Sequence, residues 1–316
     1  MERLAMPVNI PSFVFTMLAC TVVGAPTMAD MSHGTVRSDT TVTSTILEKP
    51  VSYALYLPPG YDTDSRSYPV IYLMHGGGTG APFDWFSLAG ADTVFDRLIE
   101  EGMVPPFIAI APDGRRDAAN EVATYFMNDA DGAHNWEDMF LQEFVPLMEV
   151  RYRAMSSSKS RGLLGISMGG HAAIAYTLRY PDVFAGSVSL SGAFRTAEQI
   201  TALNQPAYES RYGKAWGEGL EGDARLNEAW ANSDLPQVVA ETDAAGFRRV
   251  PRIFIDVGAD DPFFEGNADL HLDLKTAGIR HRFMVREGGH NWPYWRSGLE
   301  EAVVHLGKIF TRDYGE

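Results

Sequence analysis

The chain has 316 residues, 45% hydrophobic and 21% charged, a composition that fits one globular α/β domain and excludes a disordered or fibrous chain. Its 41 acidic residues against 26 basic ones give a formal net charge of −15. No basic run or basic–aromatic stripe offsets that charge, so nucleic acid and anionic membrane faces are excluded as partners.

In chain order, residues 1–29 read as a signal peptide and 30–316 as a single domain. Ile10 to Ala25 is mostly apolar, and Thr27-Met28-Ala29 places small residues where signal peptidase cuts. The expected location is therefore secreted or periplasmic. Cys20, the only cysteine, ends Met17-Leu18-Ala19-Cys20, which loosely resembles a lipoprotein box. Lipidation there is the one route to a stable membrane partner. The apolar run continues to Ala25, which favours plain cleavage and leaves a mature chain without thiol, disulfide or Cys-based metal site.

Thr35–Leu47 and Val51–Leu57 read as strands, and Pro58-Pro59-Gly60 as a turn. Tyr68–Met74 is a buried-type strand that runs into His75-Gly76-Gly77-Gly78. A helix is expected over Thr93–Gly102, and a strand over Pro106–Ala111. Asn135–Arg153 has helical spacing, with Phe140, Phe144, Leu147 and Val150 on one face. After the segment around Ser167, discussed below, a strand covers Ala185–Leu190. Residues 195–248 are polar and helical in character, and are expected to form a small cap. Arg252–Val257 and Arg280–Arg286 read as strands, Asn267–Ala277 and Gly298–Thr311 as helices. Strands alternating with helices imply a mostly parallel sheet covered on both faces, with ligands at the carboxyl ends of its strands.

The chemistry gathers at Gly165-Ile166-Ser167-Met168-Gly169-Gly170, between the apolar run Gly162-Leu163-Leu164 and a helical stretch. Strand, Gly-x-Ser-x-Gly turn and helix together make a nucleophile elbow, with Ser167 as the nucleophile. A serine hydroxyl needs a base, and the base needs an acid to orient it. His290, on the loop Glu287-Gly288-Gly289-His290, is the expected base. His171 reads as a packing residue and His75 as one that positions backbone. Asp260 and Asp261 both lie beyond the strand Arg252–Val257 and are equivalent candidates for the acid, whereas Asp256 lies within the strand and is expected to pair structurally. Backbone N–H groups of Met168 and Gly77, with Gly76 as second choice, are the expected oxyanion donors. The aromatics Trp85, Phe86, Tyr125, Phe126, Trp292 and Tyr294 fall on or near predicted loops. Trp85 and Trp292 are the expected substrate contacts, with ordinary packing as the competing reading. Asp129 and Asp131 read as a solvated turn. No dinucleotide fingerprint, EF-hand or His-Glu-x-x-His helix occurs, so no cofactor and no metal is expected.

With these residues, the chain resembles the α/β-hydrolase family typified by esterase D, feruloyl esterases and the mycolyltransferases. The match lies in the strand entering His75-Gly76-Gly77-Gly78 with Trp85 following, and in Trp136-Glu137-Asp138 to Val150-Arg151-Tyr152. It continues through Gly165–His171, Gly258–Phe264 and Gly289-His290. It spans roughly residues 45–310, and the loop Thr79-Gly80-Ala81-Pro82 matches no particular subfamily. The resemblance implies the α/β-hydrolase fold, selects Asp261 over Asp260, and implies a serine carboxylic-ester hydrolase. Its expected substrates are small-molecule or polysaccharide-linked esters of feruloyl or acetyl type. Acyl transfer to an alcohol or sugar is the nearest alternative. An S-formylglutathione hydrolase-like thioesterase and a non-catalytic binding module on the same fold are further ones.

Overall fold

A computed structural model describes residues 33–233 and 252–312, together with Leu235, Val238 and Val239. The signal-peptide expectation, the lipidation site Cys20 and much of 234–248 lie outside the described residues.

Eight strands build one sheet: β1 (Thr35–Ser44), β2 (Lys49–Leu57), β3 (Val70–Met74), β4 (Ile108–Pro112), β5 (Arg161–Ile166), β6 (Gly186–Leu190), β7 (Arg252–Gly258) and β8 (His281–Arg286). Their order is β1-β2-β4-β3-β5-β6-β7-β8. β2 runs antiparallel to both its neighbours, and every other adjacent pair is parallel. This is the α/β-hydrolase arrangement. The central strands are short and buried along their whole length, as β3 and β4 show, which is why they read as continuous apolar runs.

The two faces of the sheet sort the side chains by parity. Ile71 and Leu73 of β3 join Phe95 and Leu98 of the helix Ala91–Glu100 and Leu299, Val303 and Leu306 of the closing helix Trp292–Arg312. Val70, Tyr72 and Met74 point the other way, toward Phe140, Phe144 and Met148 and toward Ala172 and Tyr176 of the helix Met168–Arg179. Leu270 and Leu274 of the helix Phe264–Thr276 cover Ile253 and Ile255 of β7. Among the described residues, no helix is long and apolar enough to cross a membrane.

Three expectations are corrected. The helix over 136–151 contains a π-turn at Met139–Phe144. The wider turn rotates everything after it, so Val145 and Met148 face the core. Leu147 and Val150 are left exposed, Val150 by 85%. The closing helix begins at Trp292, six residues before the expected Gly298. Asp129 is not solvated: it is buried and held by the Arg116 guanidinium, with its Oδ2 2.7 Å from Nη1. Asp131 is exposed, as expected of a turn residue.

Candidate active site

Ser167 stands between β5 and the helix Met168–Arg179 with φ 53° and ψ −118°. A non-glycine residue held there is strained by about 1–3 kcal/mol and persists only where its surroundings over-determine it. Here they do. The Ser167 N–H donates to the Leu190 carbonyl (3.0 Å), and its own carbonyl accepts from the N–H groups of His171 (3.0 Å) and Ala193 (2.9 Å). Gly165 and Gly169 make the turn sterically feasible. A Cβ on Gly165 would strike the Gly169 carbonyl, and one on Gly169 would strike that of Met74.

β7 and β8 deliver the partners. His290 Nε2 lies 2.9 Å from Ser167 Oγ, and its Nδ1 lies 3.0 Å and 3.2 Å from the two carboxylate oxygens of Asp261. An ionised carboxylate only accepts, so Nδ1 carries the hydrogen and Nε2 is free to accept from the serine hydroxyl. Burial pushes the Asp261 carboxyl up, but hydrogen bonds from His290 and from the Phe263 N–H (2.9 Å) outweigh it and hold the group below the usual carboxylate range. Rings fix the imidazole edge-on from two sides, Phe263 and Trp295, each 5.0 Å away between centroids.

The structure thus brings Ser167, His290 and Asp261 together and separates Asp260, which is exposed and whose backbone N–H bonds the Gly288 carbonyl (3.0 Å). Asp256 is the structural acid: buried, it accepts from Arg286 Nε (3.0 Å) and Nη2 (2.9 Å) and from the Tyr294 hydroxyl. His75 acts on backbone. Its Nε2 accepts from the Gly114 N–H (2.9 Å), so its Nδ1–H donates to the Gly76 carbonyl (2.7 Å) and pins the glycine loop beside Ser167. His171 packs between the rings of Tyr125 and Phe194, and burial lowers its pKa to about 4.

A cavity of about 750 Å³ opens over the serine, lined by Gly77, Met168, Ser167 and His290 among others. Gly77 and Met168 face it. Gly76 is buried behind them and is not part of the lining. Met168 opens its helix, so its N–H has no acceptor within that helix, and the positive end of the helix dipole points at the serine. Gln199, Ala202, Leu203, Ser210 and Arg211, all from the segment expected to form a cap, supply a further part of the lining.

The two tryptophans expected to touch substrate do not line this cavity. Trp85 sits on the inner side of the helical turn Asp84–Ser87 and is 1% exposed in the apolar layer. Trp292 is a helical residue, half-buried, packed edge-on against Trp295 at 5.1 Å. Of the aromatics considered, only Tyr125 lines the cavity. Phe263, Trp295 and Arg195 complete the surroundings. Phe263 stands in the same turn as the acid, and Trp295 is one helical step from Trp292. Arg195 carries no motif that marks it.

The family described as "Putative esterase" matches residues 44–306. The chain belongs to the esterase family. It is 28% identical over 265 residues to Esterase Rv1288 of Mycobacterium tuberculosis, covering 79% of this chain and 55% of that protein. This esterase-family chain thus spans about half the length of that relative. It is 24% identical to an acetyl esterase of Caldicellulosiruptor saccharolyticus, over 78% of this chain and 86% of the relative. A solved ferulic acid esterase superposes with a TM-score of 0.74 at 26% identity, over 88% of this chain and all of that one.

Proposed function

We propose that this chain is an exported serine carboxylesterase that acts on feruloyl- or acetyl-type esters of carbohydrates. The observation that carries the reading is the continuous hydrogen-bonded chain from Ser167 Oγ through His290 to Asp261, set on a strained elbow beneath an open cavity. Ser167 Oγ attacks the ester carbonyl as its proton passes to His290 Nε2. The oxygen that gains charge faces the N–H groups of Met168 and Gly77. Collapse breaks the ester bond, and His290 Nε2–H protonates the departing alcohol. Water then attacks the acyl-enzyme and gives its proton to His290 Nε2, which passes it to Ser167 Oγ as the acyl–Oγ bond breaks and the acid leaves. Asp261 stays ionised throughout and steadies the imidazolium.

The substrate class is supported by the names of the relatives, an acetyl esterase and a ferulic acid esterase. Export is supported by the apolar stretch before Ala29. The test uses protein recovered from the exported fraction, whose first residue is expected to be Asp30. Aryl acetates and a feruloyl sugar ester are expected to release free acid, with a fluorophosphonate probe attached at Ser167. No hydrolysis together with no labelling sinks the reading, and an acyl group found mainly on an added alcohol reassigns it to transfer.

A further inference from the structure

The cavity over Ser167 contains an arginine that no carboxylate of the described residues neutralises. Arg195 lies five residues beyond the end of β6 and is half-buried. Its Nη1 donates to the hydroxyls of Tyr125 (3.2 Å) and Tyr212 (2.5 Å). Among the described residues, no Asp or Glu pairs with it. Removing a charge from water is costly unless a partner compensates, so arginines in such positions are normally paired. Glu121, an exposed residue, is the one acid in the cavity lining, and no ion pair joins it to Arg195.

The phenols around the guanidinium add a second donor. Arg195 donates to both oxygens, and the Tyr212 hydroxyl donates to that of Tyr125 (3.1 Å). Both lone pairs of the Tyr125 oxygen are then occupied, so its own hydrogen is left to be donated, and Tyr125 lines the cavity. The reverse arrangement would leave that spare hydrogen on Tyr212, which does not line this cavity. The backbone goes to some lengths to hold this ring: Tyr125 and Phe126 have φ of 50° and 58°, a conformation that is costly outside glycine. The guanidinium carbon lies 4.6 Å from the centre of the Phe263 ring, and that same ring meets His290 at 5.0 Å. One aromatic residue thus spaces the cation from the base.

Arg195 and Tyr125 both line the cavity that holds Ser167 and His290, and Arg195 Nε and Nη2 with the Tyr125 hydroxyl make a cluster of donors and no acceptors. A planar fork of this kind matches a carboxylate. We infer that the ester taken by this site bears a carboxylate, seated on Arg195 and Tyr125. The inference rests on the serine-esterase reading and narrows its substrate class to acidic esters. The charge lies either in the acyl part, as in a half-ester of a dicarboxylic acid, or in the alcohol part, as in an acylated uronic acid.

Two matched pairs distinguish these sources. An aryl hemiglutarate against its methyl-capped twin places the charge in the acyl part, and 4-acetoxybenzoate against methyl 4-acetoxybenzoate places it in the leaving group. In one pair the charged member is expected to have a kcat/KM on the order of ten-fold or more above its neutral twin. Arg195→Met is expected to bring that ratio close to one, and Arg195→Lys to keep part of it. A ratio of one or less in both pairs, or a preference that survives Arg195→Met, overturns the inference. Thermal shift with benzoate against benzamide reads the same site without turnover, so loss of the esterase reading and loss of this one are separable. Stabilisation of the wild-type protein by benzoate but not by benzamide supports the carboxylate seat, and equal effects overturn it.

Discussion

Ser167 concentrates the design at one residue: a strained φ held by three backbone hydrogen bonds, with the side chain delivered to an imidazole. Replacing it by alanine is expected to lower kcat by about 10⁴-fold or more while circular dichroism stays unchanged. Asp261→Asn is expected to cost about 10⁴-fold, because the amide would favour the wrong imidazole tautomer. Asp260→Asn is expected to leave turnover within a few-fold, and the opposite ranking would move the acid by one position. Ser167 and His290 are legible as candidates because each sits in a glycine-punctuated turn. Asp260 and Asp261 share one turn, so the local pattern leaves them equivalent and only the family resemblance selects Asp261. What separates them is the loop geometry, in which the Asp261 N–H bonds the Gly258 carbonyl (3.1 Å) and turns that side chain alone inward. Trp85 misled for a related reason: a loop aromatic has no periodicity to say which way it faces. Arg195 gave no signal because its meaning lies in which residues fail to approach it.

At the scale of elements, the central strands are legible as short apolar runs bounded by turn residues, because a strand covered on both faces needs no polar alternation. The helix over 136–151 is legible in the sequence, but its inner face is not. Its π-turn adds a residue that a 3.6-residue period cannot anticipate. The consequence is measurable by denaturant titration. Met148→Ala is expected to destabilise by about 2–5 kcal/mol, as buried methionines do. Val150→Ala is expected to stay within about 0.5 kcal/mol, as exposed positions do. Equal losses at the two positions would restore the regular period. The late start expected for the closing helix has a similar cause. Pro293 suits a first turn, where its missing N–H costs nothing, and the helix is already under way when the amphipathic pattern becomes visible.

The whole molecule is sensitive to acid. Burial, the leading cause in each case, lowers the pKa of His134, His171 and His305 to about 4, against an ordinary value near 6.5. Between those pH values the unfolded chain binds protons at these sites that the folded chain refuses, so stability falls as pH drops through that window. Thermal unfolding followed from pH 7 to 4 is expected to show a declining Tm, with a shallower slope in His305→Gln. A flat profile in the wild type would contradict the burial of these rings. The sheet order has an effect of another kind. The hydroxyl follows the fifth strand, while its acid and base follow the seventh and eighth. During synthesis Ser167 therefore emerges without Asp261 and His290, and it stays so until the final two strands have been laid down. Under the proposed chemistry, a nascent or clipped copy is inert towards esters in the cell that makes it.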